Sequence, residues 1–230
     1  MLIIGHRGAP SLYRENTLKS FEIAFENNVD GIELDVQFTK DQYLVVYHDF
    51  HTYKLNQKYN IIQNLTFNEL QNRTADFIIP TLEKILPIIP KNKFLHLEIK
   101  SNCATNQKIV SKIIKILDDY RMIEQTTISS FNPFVLLEVR HLKRKIKIGL
   151  LWTQSPKESW FITHYSYYKI QPDSFHASIQ YINKKMELWI KNNNMKLFCY
   201  TVNNKKELKK AQALKVDGIF TDYPNILDLY

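Results

Sequence analysis

Carboxylates and imidazoles gather in a few short runs of this sequence. Gly31-Ile-Glu-Leu-Asp-Val-Gln37 alternates apolar and polar residues, and so does Leu95-His-Leu-Glu-Ile-Lys100. Alternate side chains of an extended strand share a face. Glu33, Asp35 and Gln37 therefore point one way along the first run, and His96, Glu98 and Lys100 along the second. Either strand alone would also fit an antiparallel sheet with one wet face. If the two are neighbours with their polar sides inward, Glu33, Asp35 and Glu98 converge. Inward carboxylates without partners are costly, so either a cation sits among them or Lys100 and Arg7 neutralise them. All-oxygen ligation suits one divalent cation, Mg2+ or Ca2+, better than Zn2+.

Two histidines join this set. His6 follows an apolar run in Gly5-His-Arg-Gly8, and His48 ends Tyr43-Leu-Val-Val-Tyr-His-Asp49. A lone histidine is more often structural. Two at strand ends beside the carboxylate-bearing strands point to proton transfer, which cleavage of a P–O bond requires. Arg7 offers a fork of donors to phosphate oxygens, and Lys100 a point charge. Gly8 is expected to let backbone approach a ligand closely.

The elements that must position these groups alternate along the chain. Strands are predicted at Leu2–Gly5, Gly31–Phe38, Phe94–Lys100, Thr126–Ser130, Ile146–Leu150, Ser174–Ala177, Leu197–Val202 and Gly218–Phe220. Helices are predicted near Thr17–Asn28, Leu82–Ile88, Asn106–Tyr120, Pro133–Leu142, Lys157–His164, Lys184–Asn193 and Lys205–Leu214. Eight strand–helix units argue for an α/β fold, a (β/α)8 TIM barrel, with inward residues at the strands' C-terminal ends forming the site. An open doubly wound sheet competes, but no Gly-rich dinucleotide loop follows the first strand. Residues 43–81 form a small insertion after the second strand, so 1–230 reads as a single barrel domain with one enlarged loop.

The bulk properties agree. The 230 residues are 44% hydrophobic and 23% charged, which suits a globular chain of barrel length. A net charge of +8 could attract nucleic acid, anionic lipid or a phosphorylated substrate. The charge is scattered in short clusters such as Lys143-Arg144-Lys145, as on a solvated surface, and no nucleic-acid-binding module appears. Cys103 and Cys199 suggest neither a disulfide framework nor a metal-thiolate site. No apolar run reaches the ~18 residues of a transmembrane segment. Leu2-Ile3-Ile4 already reads as core strand, so no signal peptide is expected and a cytoplasmic location is predicted.

At this point the chain closely resembles the glycerophosphodiester phosphodiesterase family. His6-Arg7-Gly8 followed by Glu15-Asn16-Thr17 is similar to its opening signature, and Gly31-Ile-Glu-Leu-Asp-Val to its metal-binding strand. His48-Asp49, Pro80-Thr81-Leu82-Glu83 and Leu97-Glu98-Ile99-Lys100 resemble its next motifs. Ser129-Ser130-Phe131, Tyr200-Thr201-Val202-Asn203 and Asp217–Pro224 resemble its later strand ends. The order and spacing of these motifs carry the resemblance over nearly the whole chain.

The resemblance implies hydrolysis of small-molecule glycerophosphodiesters to glycerol 3-phosphate and an alcohol. His6 and His48 would act as general acid and base, and Glu33, Asp35 and Glu98 would hold the divalent metal. Arg7 and Lys100 would stabilise phosphoryl charge, and Glu15 would support the metal or its neighbours. A glycerol hydroxyl would attack first, giving a cyclic phosphate that water then opens.

The chain departs from the family pattern at Tyr200, where Trp is frequent, and at His96, often Asn, for which a structural hydrogen-bonding role is expected. Lys54–Asn60 lacks the Arg and Gly usual after His-Asp. A lysophospholipase D-type enzyme on the same scaffold would need an apolar groove, for which Tyr53, Tyr59, Phe67 and Phe77 are candidates. The other competitor is a non-catalytic barrel that binds phosphoryl ligands.

Overall fold

Apolar residues at every second position build the wall that surrounds the site. In the computed structural model, which describes residues 1–74, 76–103, 105–143, 145–152 and 167–229, Ile32, Leu34 and Val36 and likewise Leu95, Leu97 and Ile99 are buried against the surrounding helices. Each such side chain contributes about 1.5–3 kcal/mol on leaving water. Their polar neighbours in sequence therefore face the barrel axis.

The strands are β1 (Leu2–His6), β2 (Gly31–Phe38), β3 (Leu44–Val46), β4 (Phe94–Ile99), β5 (Thr126–Ser130), β6 (Lys147–Trp152), β7 (Ser174–Ser178), β8 (Lys196–Tyr200) and β9 (Gly218–Thr221). All but β3 are parallel to their neighbours, in the order β1-β9-β8-β7-β6-β5-β4-β2. β1 also pairs with β2, which closes the sheet. The fold is a (β/α)8 barrel, and closure removes the open-sheet alternative.

Helices cover the outside. Gln107–Asp119 buries Ile109, Val110, Ile113, Ile116 and Leu117, the spacing of one helical face. Pro133–Leu142 starts where expected, with Asn132 accepting a hydrogen bond from the Phe134 amide. The helix predicted over Leu82–Ile88 is divided into Leu82–Ile85 and a tighter turn over Leu86–Ile88. Pro87 causes this, since it lacks an N–H and its ring crowds the preceding turn. The helix expected at Lys157–His164 lies outside the described residues.

Between β2 and β4 the chain first doubles back as β3, antiparallel to β2. The following segment has a small apolar cluster of its own, Val45, Ile62, Leu65, Leu70 and Ile79. Phe67 and Phe77 are half-buried against it, whereas Tyr53 and Tyr59 are exposed. Inside the barrel, Ile4, Phe198 and Phe220 form a separate apolar layer.

Candidate active site

Strand register sets the geometry. Asp35 on β2 lies directly beside Glu98 on β4, and His6 on β1 lies beside Glu33 on β2. Oxygens of Glu33, Asp35 and Glu98 lie within 4.8 Å of one another. Both alternatives for neutralising them leave a mark. Lys100 Nζ is 2.9 Å from Glu98 and 3.7 Å from Asp35, and Arg7 Nε is 3.3 Å from Asp35. Arg7 is shared, however, because its Nη1 donates to Glu15 at 2.9 Å. Two cations therefore face the four carboxylates of Glu15, Glu33, Asp35 and Glu98.

The imbalance shows in the acidities. Burial, reinforced by Asp35, pushes the Glu33 carboxyl well above its usual range. Glu98 is pushed up to about 7 by burial and by Asp35, against the pull of Lys100. Burial acts upward on Asp35 too, but Arg7, His48, Lys100 and a hydrogen bond from Asn16 hold it below the usual carboxylate range. Asp35 Oδ1 is enclosed without a hydrogen bond. An all-oxygen donor set with surplus negative charge fits a hard divalent cation.

Each histidine is braced by a carboxylate. His6 Nδ1 is 2.6 Å from Asp222 Oδ1, and His48 Nδ1 is 2.6 Å from Asp49 Oδ1. Both histidines line the same cavity. Asn203 donates to Asp222 at 2.6 Å and accepts from its amide. Gln37, on the inner face of β2, donates to the carbonyls of Tyr47 and Asp49, which bracket His48. Burial, with Arg7 and Lys100 adding to it, lowers His48 below the ordinary imidazole value despite Asp35.

Arg7 sits in the left-handed backbone region at φ 57°, followed by Gly8 at φ 95°. This turn lets the Arg7 amide donate to Glu33 at 3.0 Å. Gly8 has a packing reason of its own, since a Cβ there would lie 2.4 Å from Ser20 Oγ on the helix Leu18–Glu26.

His6, Arg7, Glu33, His48 and Glu98 line one cavity of about 220 Å³, together with Phe131, Leu151, His176, Tyr200 and Phe220. Asp35 lies beneath this wall, while Lys100 and Glu15 reach the cluster through Glu98, Asp35 and Arg7. His96 faces the interior but is packed among Phe198, Phe220 and His176, and its Nδ1 has no hydrogen-bond partner. Sequence reasoning named no role for Asp222, Asn203, Gln37 or His176. All four follow the same alternation or strand-end rule that exposed the acidic cluster.

Comparison with known proteins gives the family of the chain. Residues 6–226 match the Glycerophosphoryl diester phosphodiesterase family. The chain belongs to that family. A glycerophosphodiester phosphodiesterase of Caldanaerobacter subterraneus subsp. tengcongensis is 34% identical, covering 98% of this chain and 96% of its own length. The Thermotoga maritima glycerophosphodiester phosphodiesterase structure superposes with TM-score 0.82 at 25% identity, over 100% of this chain and 98% of that one. An Oleispira antarctica phosphodiesterase, solved in complex with the product sn-glycerol-3-phosphate, shares the fold with TM-score 0.87 at 22% identity, over 100% of this chain and 96% of that one. The family is one of phosphodiester hydrolases, so this chain is an enzyme of that class. Among the described residues no helix is long and apolar enough to cross a membrane.

Proposed function

We propose that this chain hydrolyses glycerophosphodiesters to glycerol 3-phosphate and an alcohol, with His6 and His48 as the acid–base pair and one divalent cation, Mg2+ or Ca2+, held by Glu33, Asp35 and Glu98. The observation that carries this reading is the meeting of two carboxylate-braced histidines with the acidic cluster at one cavity. The named relatives and the Oleispira product complex support the substrate class.

A phosphodiester would bring further negative charge to a site where carboxylates already outnumber cations. When bound, the divalent cation offsets that charge and draws electron density from phosphorus. Arg7 has donors beyond those committed to Glu15 and Asp35, and these suit the phosphoryl oxygens. Lys100 offsets charge from beside Glu98 and Asp35. Glu15 holds the Arg7 fork in place. One histidine takes the proton of the attacking hydroxyl and the other gives a proton to the departing alkoxide. The bracing carboxylates fix the ring orientation and favour the imidazolium that forms transiently.

The same reading takes 1–230 as a single barrel domain with an insertion at about 43–81, and the two unpaired thiols of Cys103 and Cys199 fit a cytoplasmic location. Of the aromatic residues that could line an acyl groove, Phe67 and Phe77 are used in the small cluster of the insertion, while Tyr53 and Tyr59 are exposed, so the lysophospholipid arm of the assay decides between the two substrate classes. The test is a panel of glycerophosphodiesters and lysophosphatidylcholine with purified protein, with and without chelator. Release of glycerol 3-phosphate that chelator stops and Mg2+ or Ca2+ restores is expected. Chelator-resistant turnover would overturn the metal assignment, and no release from any glycerophosphodiester would overturn the function.

A further inference from the structure

Large apolar side chains that stay in water gather on the side of the barrel where the cavity opens. Tyr13 follows β1, Tyr53, Tyr59, Ile61 and Ile78 belong to the insertion, and Phe131 follows β5 at the cavity wall. Tyr59 is 70% exposed and Ile78 76%. Single exposed apolar residues are ordinary, but a group of them around one opening marks a contact surface.

The insertion holds its share on a fixed support. His51 and Ile61 form an antiparallel backbone bridge. The Thr52 amide donates to the Asn60 carbonyl at 3.0 Å, and the Ile62 amide to the Phe50 carbonyl at 2.9 Å. Between these bonds the chain makes one helical turn, Tyr53–Asn56, and the Tyr59 ring packs on His51 with centroids 4.5 Å apart. Lys54 Nζ lies 3.2 Å from Asp49, which keeps the loop beside His48. The loop after β1 joins the same surface, since the Arg14 guanidinium lies 4.1 Å over the Phe77 ring.

Charge selects the occupant. From Phe50 to Asn68 the chain carries Lys54 and Lys58 and no Asp or Glu, within a protein of net charge +8. Interfaces between proteins are depleted of lysine at their apolar centres. Tyrosine beside lysine instead suits the boundary of a bilayer. The ring has an apolar body and a wet tip, and the ammonium group is drawn to anionic head groups.

We infer that this face docks on the surface of an anionic phospholipid bilayer, with Tyr53, Tyr59, Ile61 and Ile78 at the head-group boundary and Lys54 and Lys58 against lipid phosphates. The cavity then opens toward the membrane. Docking is separate from hydrolysis and does not depend on which diester the site cleaves.

The test is sedimentation of the full chain with vesicles of equal parts phosphatidylcholine and phosphatidylglycerol, beside vesicles of phosphatidylcholine alone. Tyr168 supplies the control, because it is 71% exposed but precedes β7, at the opposite end of the strands. The protein is expected to bind the mixed vesicles. The double variant Tyr59→Ser, Ile61→Ser should bind at least about 10-fold more weakly, Lys58→Gln about 5-fold more weakly, and Tyr168→Ser as well as the unsubstituted protein. Turnover of a soluble glycerophosphodiester by the double variant should be unchanged. Should that variant fail to fold, Ile78→Ser must show the loss of vesicle binding. No binding to the mixed vesicles, equal binding to phosphatidylcholine alone, or an equal loss in Tyr168→Ser would overturn the inference. A dimer that the double variant dissolves, without vesicle binding, would also overturn it and give the face to a second copy of the chain.

Discussion

His6 and Asp222 are 216 positions apart in the chain and 2.6 Å apart in space. Burial acts upward on the Asp222 carboxyl, but the bonds from His6 and Asn203 hold it below its usual range. The carboxylate is therefore ionised whenever the ring needs an anchor. His6→Ala and His48→Ala should each lower kcat by at least ~10²-fold. Asp222→Asn should lower kcat by about 10-fold or more while changing KM little, because it misorients the ring without touching the phosphate site. Steady-state kinetics decides this, and a normal kcat for the Asn variant would remove Asp222 from the mechanism.

Gln37 holds His48 from behind. Its amide bonds to the Tyr47 and Asp49 carbonyls span the residue that must transfer a proton. Gln37→Leu keeps the volume and removes both bonds. It should lower kcat about 10-fold and reduce stability by about 1–3 kcal/mol through the unsatisfied carbonyls. Kinetics and chemical denaturation on the same preparation would check both effects. An unchanged kcat with reduced stability would confine Gln37 to the fold.

Gly8→Ala should destabilise the protein by about 1–3 kcal/mol, since an L side chain there is strained and its Cβ would press on Ser20. The adjoining Arg7 turn would shift with it, so affinity for phosphate should fall as well. Denaturant midpoints and phosphate binding measure the two effects. Wild-type behaviour in both would show that the turn relaxes freely.

His96 links stability to pH. Burial, with Lys147 adding to it, lowers this ring to about 3, whereas in an unfolded chain it takes a proton near pH 6.5. Its contribution is thus complete above about pH 6.5 and is lost progressively as pH falls toward the folded value. Replacing it with Asn should flatten the decline of Tm between about pH 6.5 and about pH 4. An unaltered slope would mean that the ring is protonated as readily folded as unfolded.

The acidic cluster was readable because a two-residue alternation needs no knowledge of neighbours. Glu33, Asp35 and Glu98 were placed on inner faces by that rule, and β2, β5 and Pro133–Leu142 matched their predicted limits. The bracing of His6 was not readable. It depends on β1 and β9 becoming neighbours, which happens only when the barrel closes. Gln37 was seen on the correct face, but its partners come from a chain that turns back through β3, and no local pattern specifies that return. His176 was within reach of the rule, since Ser174, His176 and Ser178 alternate with Phe175 and Ala177. Weak polarity contrast in that strand concealed it.

The insertion's separate apolar cluster has an evolutionary consequence. Val45, Ile62, Leu65, Leu70 and Ile79 support one another apart from the main barrel core, and Gln37 fastens the segment near His48. Mutations among the exposed residues between these anchors leave the acidic cluster's foundations intact. Exchanging the residues that follow Asp49 in this segment between relatives should reshape the approach to the cavity while His48 and Asp49 stay in place.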